Sequence, residues 1–156
     1  KAENIDSTMV SEIEKDISRL QNITERFSKI GSEPHLEVKD LVEETKMAYD
    51  YLQTRFAGQV AFSFKSVSSP VYVKINPTLH SWTIENLVKN AIDAMKGRGK
   101  LDVLILEDAR FVRIRVSDTG KGIPKNQFNQ IFEPGFTTKK RGWGLGLSLT
   151  KRIVEE

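Results

Sequence analysis

The chain has 156 residues, enough for one ordinary domain with room for an extra element. It contains no cysteine, which excludes disulfides, thiolate metal sites and a cysteine nucleophile. The net charge of +3 arises from acidic and basic residues that alternate along most of the chain, so no nucleic-acid partner is expected.

No apolar run approaches the roughly 20 residues that span a bilayer. No signal peptide is visible. The chain starts at Lys1 inside a helical pattern, as a piece of a longer protein would. Asn4 to Ile30 is expected as one long helix. Val10, Ile13, Ile17, Leu20, Thr24 and Phe27 recur at steps of three and four, a narrow heptad-like seam on an otherwise charged helix. So narrow a stripe requires a partner helix. Gly31-Ser32-Glu33-Pro34 ends the segment and forms a linker.

Leu36 to Asp40 is expected as a short strand. Asp40 with Glu43 resembles a capping box that opens a helix through about Phe56. Val60, Phe62 and Phe64 alternate with Ala61 and Ser63, the mark of a half-buried strand. Val71 to Ile75 is another. Asn76-Pro77 places a cap before a proline at the first helical position, and the helix it opens is expected to stop at Gly97. Leu101 to Leu106 and Arg110 to Ser117 predict a hairpin with Val112, Ile114 and Val116 facing inward. Ile123 to Arg141 lacks periodicity, and a last helix starts near Leu145. Strands mixed with helices and a hairpin point to an α+β fold, a two-layer sandwich of sheet on helices.

Three segments carry candidate chemistry. On the helix after Pro77, a repeat of about 100° per residue puts Ile84, Leu87, Val88, Ala91, Ile92 and Met95 in one apolar stripe. Asn86, Asn90 and Asp93 then share the opposite side as a polar strip. An asparagine carbonyl is a hard oxygen ligand that suits Mg²⁺; the same strip also reads as a solvated face. Asp118 follows a strand and precedes Thr119-Gly120-Lys121-Gly122. A short carboxylate there is suited to accept a hydrogen bond from an exocyclic amine, with Ile123 and Pro124 beside a flat base; Asp-Thr-Gly is equally ordinary turn chemistry. Gly142, Gly144 and Gly146 alternate just before an apolar helical pattern, which exposes backbone N–H groups at a helix start where phosphate is favoured. Lys139, Lys140 and Arg141 add charge beside it. This is not a P-loop, because Leu147-Ser148 follows the last glycine. His35 and His80 are distant from each other, and with no cysteine they build no transition-metal cluster. His80 is expected at the surface or in helix packing.

In this order, the segments resemble the GHKL superfamily, and within it the catalytic domain of bacterial sensor histidine kinases. An asparagine box runs from Trp82 to Met95, a first glycine box from Ser117 to Pro124, a phenylalanine box from Ile131 to Lys140, and a second glycine box from Gly142 to Glu155. The resemblance implies a Bergerat ATP-binding fold over residues 34–156. Residues 1–33 resemble the second helix of the family's dimerisation hairpin. Two further strands would normally follow the last helix.

The resemblance also implies roles. Asn90 would ligate Mg²⁺, Asn86 would support the phosphate site and Lys139 would reach the terminal phosphate. Asp118 would read the adenine amine, with Gly120, Gly122 and Ile123 shaping the base pocket. Phe132, with Phe136, would anchor a mobile lid. Asp93, Thr137, Thr138, Gly142, Gly144, Leu145, Gly146 and Leu147 complete the implied ATP-binding set. The implied partners are a histidine-bearing dimerisation domain and a response-regulator receiver domain, with homodimerisation through Val10–Phe27. The implied location is cytoplasmic, with membrane anchoring of the parent left open. The phosphoaccepting histidine would lie on a preceding helix, so this chain alone would not phosphorylate itself. Trp143 stands where the family usually has a small hydroxyl residue.

Two other functions fit parts of the pattern. GHKL hydrolases carry a glutamate one helical turn before the metal asparagine, but here that position is Asn86, and Glu85 is rotated about 100° from it. A nucleotide-sensing or docking module without catalysis is the other.

Overall fold

The computed structural model describes residues 9–14, 17, 18, 21, 24, 35–139 and 142–155. The chain divides into two compact units, Lys1–His35 and Leu36–Glu156, each described by itself.

In the first unit every described residue from Met9 to Thr24 is helical. Of the expected seam, Val10, Ile13 and Ile17 are exposed. Leu20, Phe27 and the Gly31–Pro34 linker lie outside the described residues.

The second unit runs β1 (Glu37–Asp40), α1 (Leu41–Arg55), β2 (Val60–Ser66), β3 (Tyr72–Ile75), α2 (Pro77–Ala94), β4 (Gly99–Glu107), β5 (Val112–Asp118) and α3 (Gly146–Glu155), with short 3-10 turns at Lys125–Gln127 and Gln130–Phe132. β2 pairs parallel to β4, and β4 pairs antiparallel to β5, giving a mixed three-stranded sheet. β1 and β3 form a separate antiparallel pair. The α+β architecture of sheet packed on helices is therefore present.

Local chemistry explains the element ends. Asp40 caps α1, but its Oδ1 accepts from the Val42 amide at 3.0 Å, with a second bond from Val71 N at 3.0 Å. The cap thus ties α1 to the strand pair as well as closing its own first turn. Asn76 caps α2 by accepting from Leu79 N at 3.0 Å, with Pro77 at the first helical position. The C-terminus of α2 differs from expectation. Lys96, not Gly97, is the first left-handed residue, at φ 53°. Lys96 N bonds to Asp93 O and Gly97 N to Ile92 O, a Schellman closure that offsets the strain of a lysine there.

The core lies between the sheet and α1 and α2. Leu52, Ile84, Val88, Leu101, Val103 and Ile105 are almost fully buried, and each such side chain contributes about 1.5–3 kcal/mol on burial. Tyr49 meets Phe62 edge-on with ring centroids 5.6 Å apart. On β5, Val112, Ile114 and Val116 turn inward while Arg113 and Arg115 stay exposed. This core fixes the rotation of α2, and with it the direction of the polar strip.

Candidate functional site

The apolar stripe of α2 is held against the sheet, so Asn86, Asn90 and Asp93 face away from the core. Two chain segments meet that strip, and a third meets the C-terminal end of α2.

Near the middle of α2, Asn86 donates from Nδ2 to Thr150 Oγ1 of α3 at 2.8 Å. Its Oδ1 lies against Gly146, the first residue of α3, so closely that a Cβ at 146 would overlap it. Gly146 therefore lets the start of α3, whose first backbone N–H groups lack intrahelical partners, approach the strip. Leu145 O accepts from Leu149 N and from Ser148 Oγ at 3.0 Å each, which fixes the first turn. Leu147 is half-buried within it.

One turn further along, Lys139 reaches the strip. Its Nζ donates to Asn90 Oδ1 at 2.7 Å and to Asp93 Oδ2 at 2.6 Å. The Asn90 carbonyl is thus oriented toward a positive charge in this protein's own packing. Lys139 N also donates to Thr137 Oγ1 at 3.1 Å. The segment carrying Lys139 is closed at its base by Gly135 N donating to Gly144 O at 3.0 Å. Gly144 has φ 66° and touches the Gly135 carbonyl, a contact and a conformation that together require glycine. Thr138, Gly142 and Trp143 are exposed on this segment. Lys140 and Arg141, the rest of the basic triplet, lie outside the described residues.

At its C-terminal end, α2 is covered by the loop after β5. Asp118 Oδ1 accepts from Gly120 N at 2.7 Å. A Cβ on Gly120 would stand 2.7 Å from the Ala94 backbone. Lys121 N donates to Ala94 O at 3.3 Å. Thr119 braces the loop, with Oγ1 accepting from Lys100 N at 3.0 Å. Gly122 is left-handed at φ 69°, and the exposed Ile123 follows it.

Phe132 is not brought to the strip. Its ring lies under Lys151 of α3, with Nζ 5.8 Å from the centroid, so it ties the Gln130–Phe132 turn to α3.

Glu85 forms an ion pair with Lys89 at 2.7 Å, on a different side of α2 from Asn90. Thr83 Oγ1 is the buried side-chain oxygen without a hydrogen-bond partner among the described residues. His80 packs between α2 and α1, with Nε2 2.9 Å from Thr45 Oγ1. Burial lowers its pKa to about 4, so it is neutral at pH 7. Sequence reasoning missed Thr150 and Gly135, which pair across long stretches of chain. It also missed the carboxylate of Asp93 as an anchor for Lys139.

Comparison with known proteins bears on family and fold. Residues 77–156 match the family described as histidine kinase-, DNA gyrase B-, and HSP90-like ATPase. Sporulation kinase A of Bacillus subtilis is 47% identical over 70 residues, covering 45% of this chain and 12% of that protein. Sensor histidine kinase ZraS of Escherichia coli K12 is 29% identical over 145 residues, covering 91% of this chain and 31% of that protein. The chain therefore spans about a third or less of these curated relatives. The nucleotide-free catalytic domain of histidine kinase ThkA superposes with a TM-score of 0.71 at 30% identity, over 77% of this chain and 80% of that one. ThkA in complex with the response regulator protein TrrA gives 0.72 at 26% identity, over 99% and 45%.

Proposed function

This chain belongs to the histidine kinase-, DNA gyrase B-, and HSP90-like ATPase family, as an ATP-binding catalytic domain of the sensor histidine kinase type, and we propose that in its parent protein it passes the γ-phosphoryl group of Mg·ATP to a histidine. The observation that carries the reading is that three remote segments meet α2: Gly146 at Asn86, Lys139 at Asn90 and Asp93, and Gly120 at Ala94.

In this reading Asn90 holds Mg²⁺. The fit rests on its carbonyl, which already accepts from the Lys139 ammonium. A Mg²⁺ held there would supply charge neutralisation to the phosphates. Asp118 takes the exocyclic amine of the base, with Gly122 and Ile123 beside it. The first turn of α3, with Gly142 and Gly144, presents backbone N–H groups to the phosphates. Lys139 moves to the terminal phosphate, and Asn86 keeps α3 in register through Thr150. Phosphoryl transfer of this kind depends on positioning and charge neutralisation, and these residues supply both.

The acceptor histidine belongs to a dimerisation domain whose second helix is residues 1–33, and residues 34–156 form the catalytic domain. The exposed apolar residues Val10, Ile13 and Ile17 support homodimerisation there. A receiver domain then takes the phosphoryl group, a step supported by the likeness to ThkA as it is bound to TrrA. The domain works on the cytoplasmic side. Among the described residues, no helix is long and apolar enough to cross a membrane.

Hydrolysis is the second reading, and one observation weighs against it. Glu85 is paired with Lys89, and the carboxamide at 86 is engaged by Thr150. Neither group is a base for water. The test mixes this chain with γ-labelled ATP and a separately made histidine-bearing helical hairpin. Label on the hairpin is expected. Free phosphate alone would indicate a hydrolase, and bound but intact ATP a docking module.

A further inference from the structure

Lys139 occupies the place on Asn90 that the proposed function gives to a metal ion. It is held there by Asp93, which the resemblance counts among the ATP-binding residues without giving it a task of its own. Both contacts are short, 2.7 Å to Asn90 Oδ1 and 2.6 Å to Asp93 Oδ2. Lys139 stands inside the segment clasped at its base by Gly135 and Gly144. Lys139 therefore pins its own end of that segment to the polar strip of α2.

From this geometry we propose that Asp93 is a positioning residue: it latches Lys139 over Asn90 and releases it when Mg·nucleotide arrives. The inference rests on the nucleotide reading above. The ammonium stands in for the cation at Asn90. Arrival of a metal-chelated phosphate displaces it from Asn90 and offers it a more strongly charged partner. Asp93 is one turn from Asn90 on the same strip, so it holds the lysine close to its next position. The side chains of Lys139 and Asp93 are 43% and 57% exposed, and an ion pair this exposed is weak and screened by salt. Weakness suits a latch, because a ligand opens it at small cost.

The experiment uses the whole chain and the fluorescence of Trp143. This indole is 53% exposed on the lid, while Trp82 is 8% exposed, so acrylamide quenching reports mainly on the lid. In the nucleotide-free wild type, quenching is expected to be restrained at low salt and to increase with KCl. Asp93→Asn is expected to quench strongly at low salt and to respond little to KCl, while Asp93→Glu restores the wild-type pattern. Asp93→Asn is also expected to bind Mg·ADP about twofold to fivefold more tightly by calorimetry, because the competing closed state is lost. Quenching in Asp93→Asn that matches wild type at every salt concentration overturns the latch, and so does weaker binding of Mg·ADP. The fluorescence arm needs no nucleotide. Failure of the wild-type chain to bind Mg·ADP would instead overturn the nucleotide reading, and with it the handover.

Discussion

Asn86 and Thr150 hold α2 and α3 together through one side-chain hydrogen bond, Nδ2 to Oγ1 at 2.8 Å, with Thr150 itself buried. Replacing Thr150 by Val keeps the shape and leaves the Asn86 amide without its partner. A loss of about 1–2 kcal/mol in urea unfolding is expected, together with weaker Mg·ADP binding, because α3 no longer holds its register. The double variant with Asn86→Ala should lose less than the sum of the single variants. Strict additivity would show that the bond does not couple the helices.

Asp118 has two tasks that substitution can separate. Its Oδ1 accepts from Gly120 N, and in the proposed function it also accepts from the base. Asp118→Asn retains an acceptor for Gly120, so thermal stability should change little. Affinity for Mg·ADP should fall roughly tenfold or more, the effect of losing a charged hydrogen-bond acceptor of about 1.5–3 kcal/mol. Unchanged affinity by calorimetry would remove Asp118 from the base site.

Gly120 lies against the backbone of Ala94, where a Cβ would stand at 2.7 Å. Backbone cannot swing aside as a flexible side chain can. Gly120→Ala should therefore cost about 1–3 kcal/mol of stability and lift the Asp118 loop from α2. Urea unfolding measures the first effect, and reduced Mg·ADP affinity the second.

Thr83 gives a prediction of opposite sign. Its buried hydroxyl has no hydrogen-bond partner among the described residues. Thr83→Val retains the shape and removes the unpaired oxygen, and should raise stability by about 1 kcal/mol. A destabilised variant in urea would mean that the hydroxyl has a partner in solution.

Much of the fold was legible because its signals are local. Asn76-Pro77 and Asp40 announce helix starts through bonds to residues two or three positions on. The alternation on β5 shows in its inward Val112, Ile114 and Val116. The orientation of the polar strip followed from the apolar stripe of α2, since burying one side fixes the other. What the sequence concealed was set by distant partners. Thr150 pairs with Asn86 across 64 positions, and Lys139 reaches Asp93 across 46. The left-handed turn at Lys96 was hidden for a different reason: Gly97 beside it is the residue that normally takes that conformation.

His80 sets a pH dependence. Its pKa falls from the ordinary 6.5 to about 4 because the half-buried ring is desolvated between α2 and α1. Between those values the unfolded chain binds a proton that the folded chain refuses. Stability from this group is thus complete above about pH 6.5 and declines as pH falls toward 4, by roughly 3 kcal/mol in total. His80→Gln, whose carboxamide can still meet Thr45, should flatten that slope in urea titrations across this range. An unchanged slope would assign the dependence to other groups.

The central claim is that three remote segments serve one nucleotide along a single side of α2. Backbone amide ¹H–¹⁵N shifts during titration with Mg·ADP test it most directly. The account predicts that amides in 86–94, 118–123 and 142–147 shift together and saturate with one dissociation constant. Shifts confined to one segment, or separate constants for the three, would contradict it.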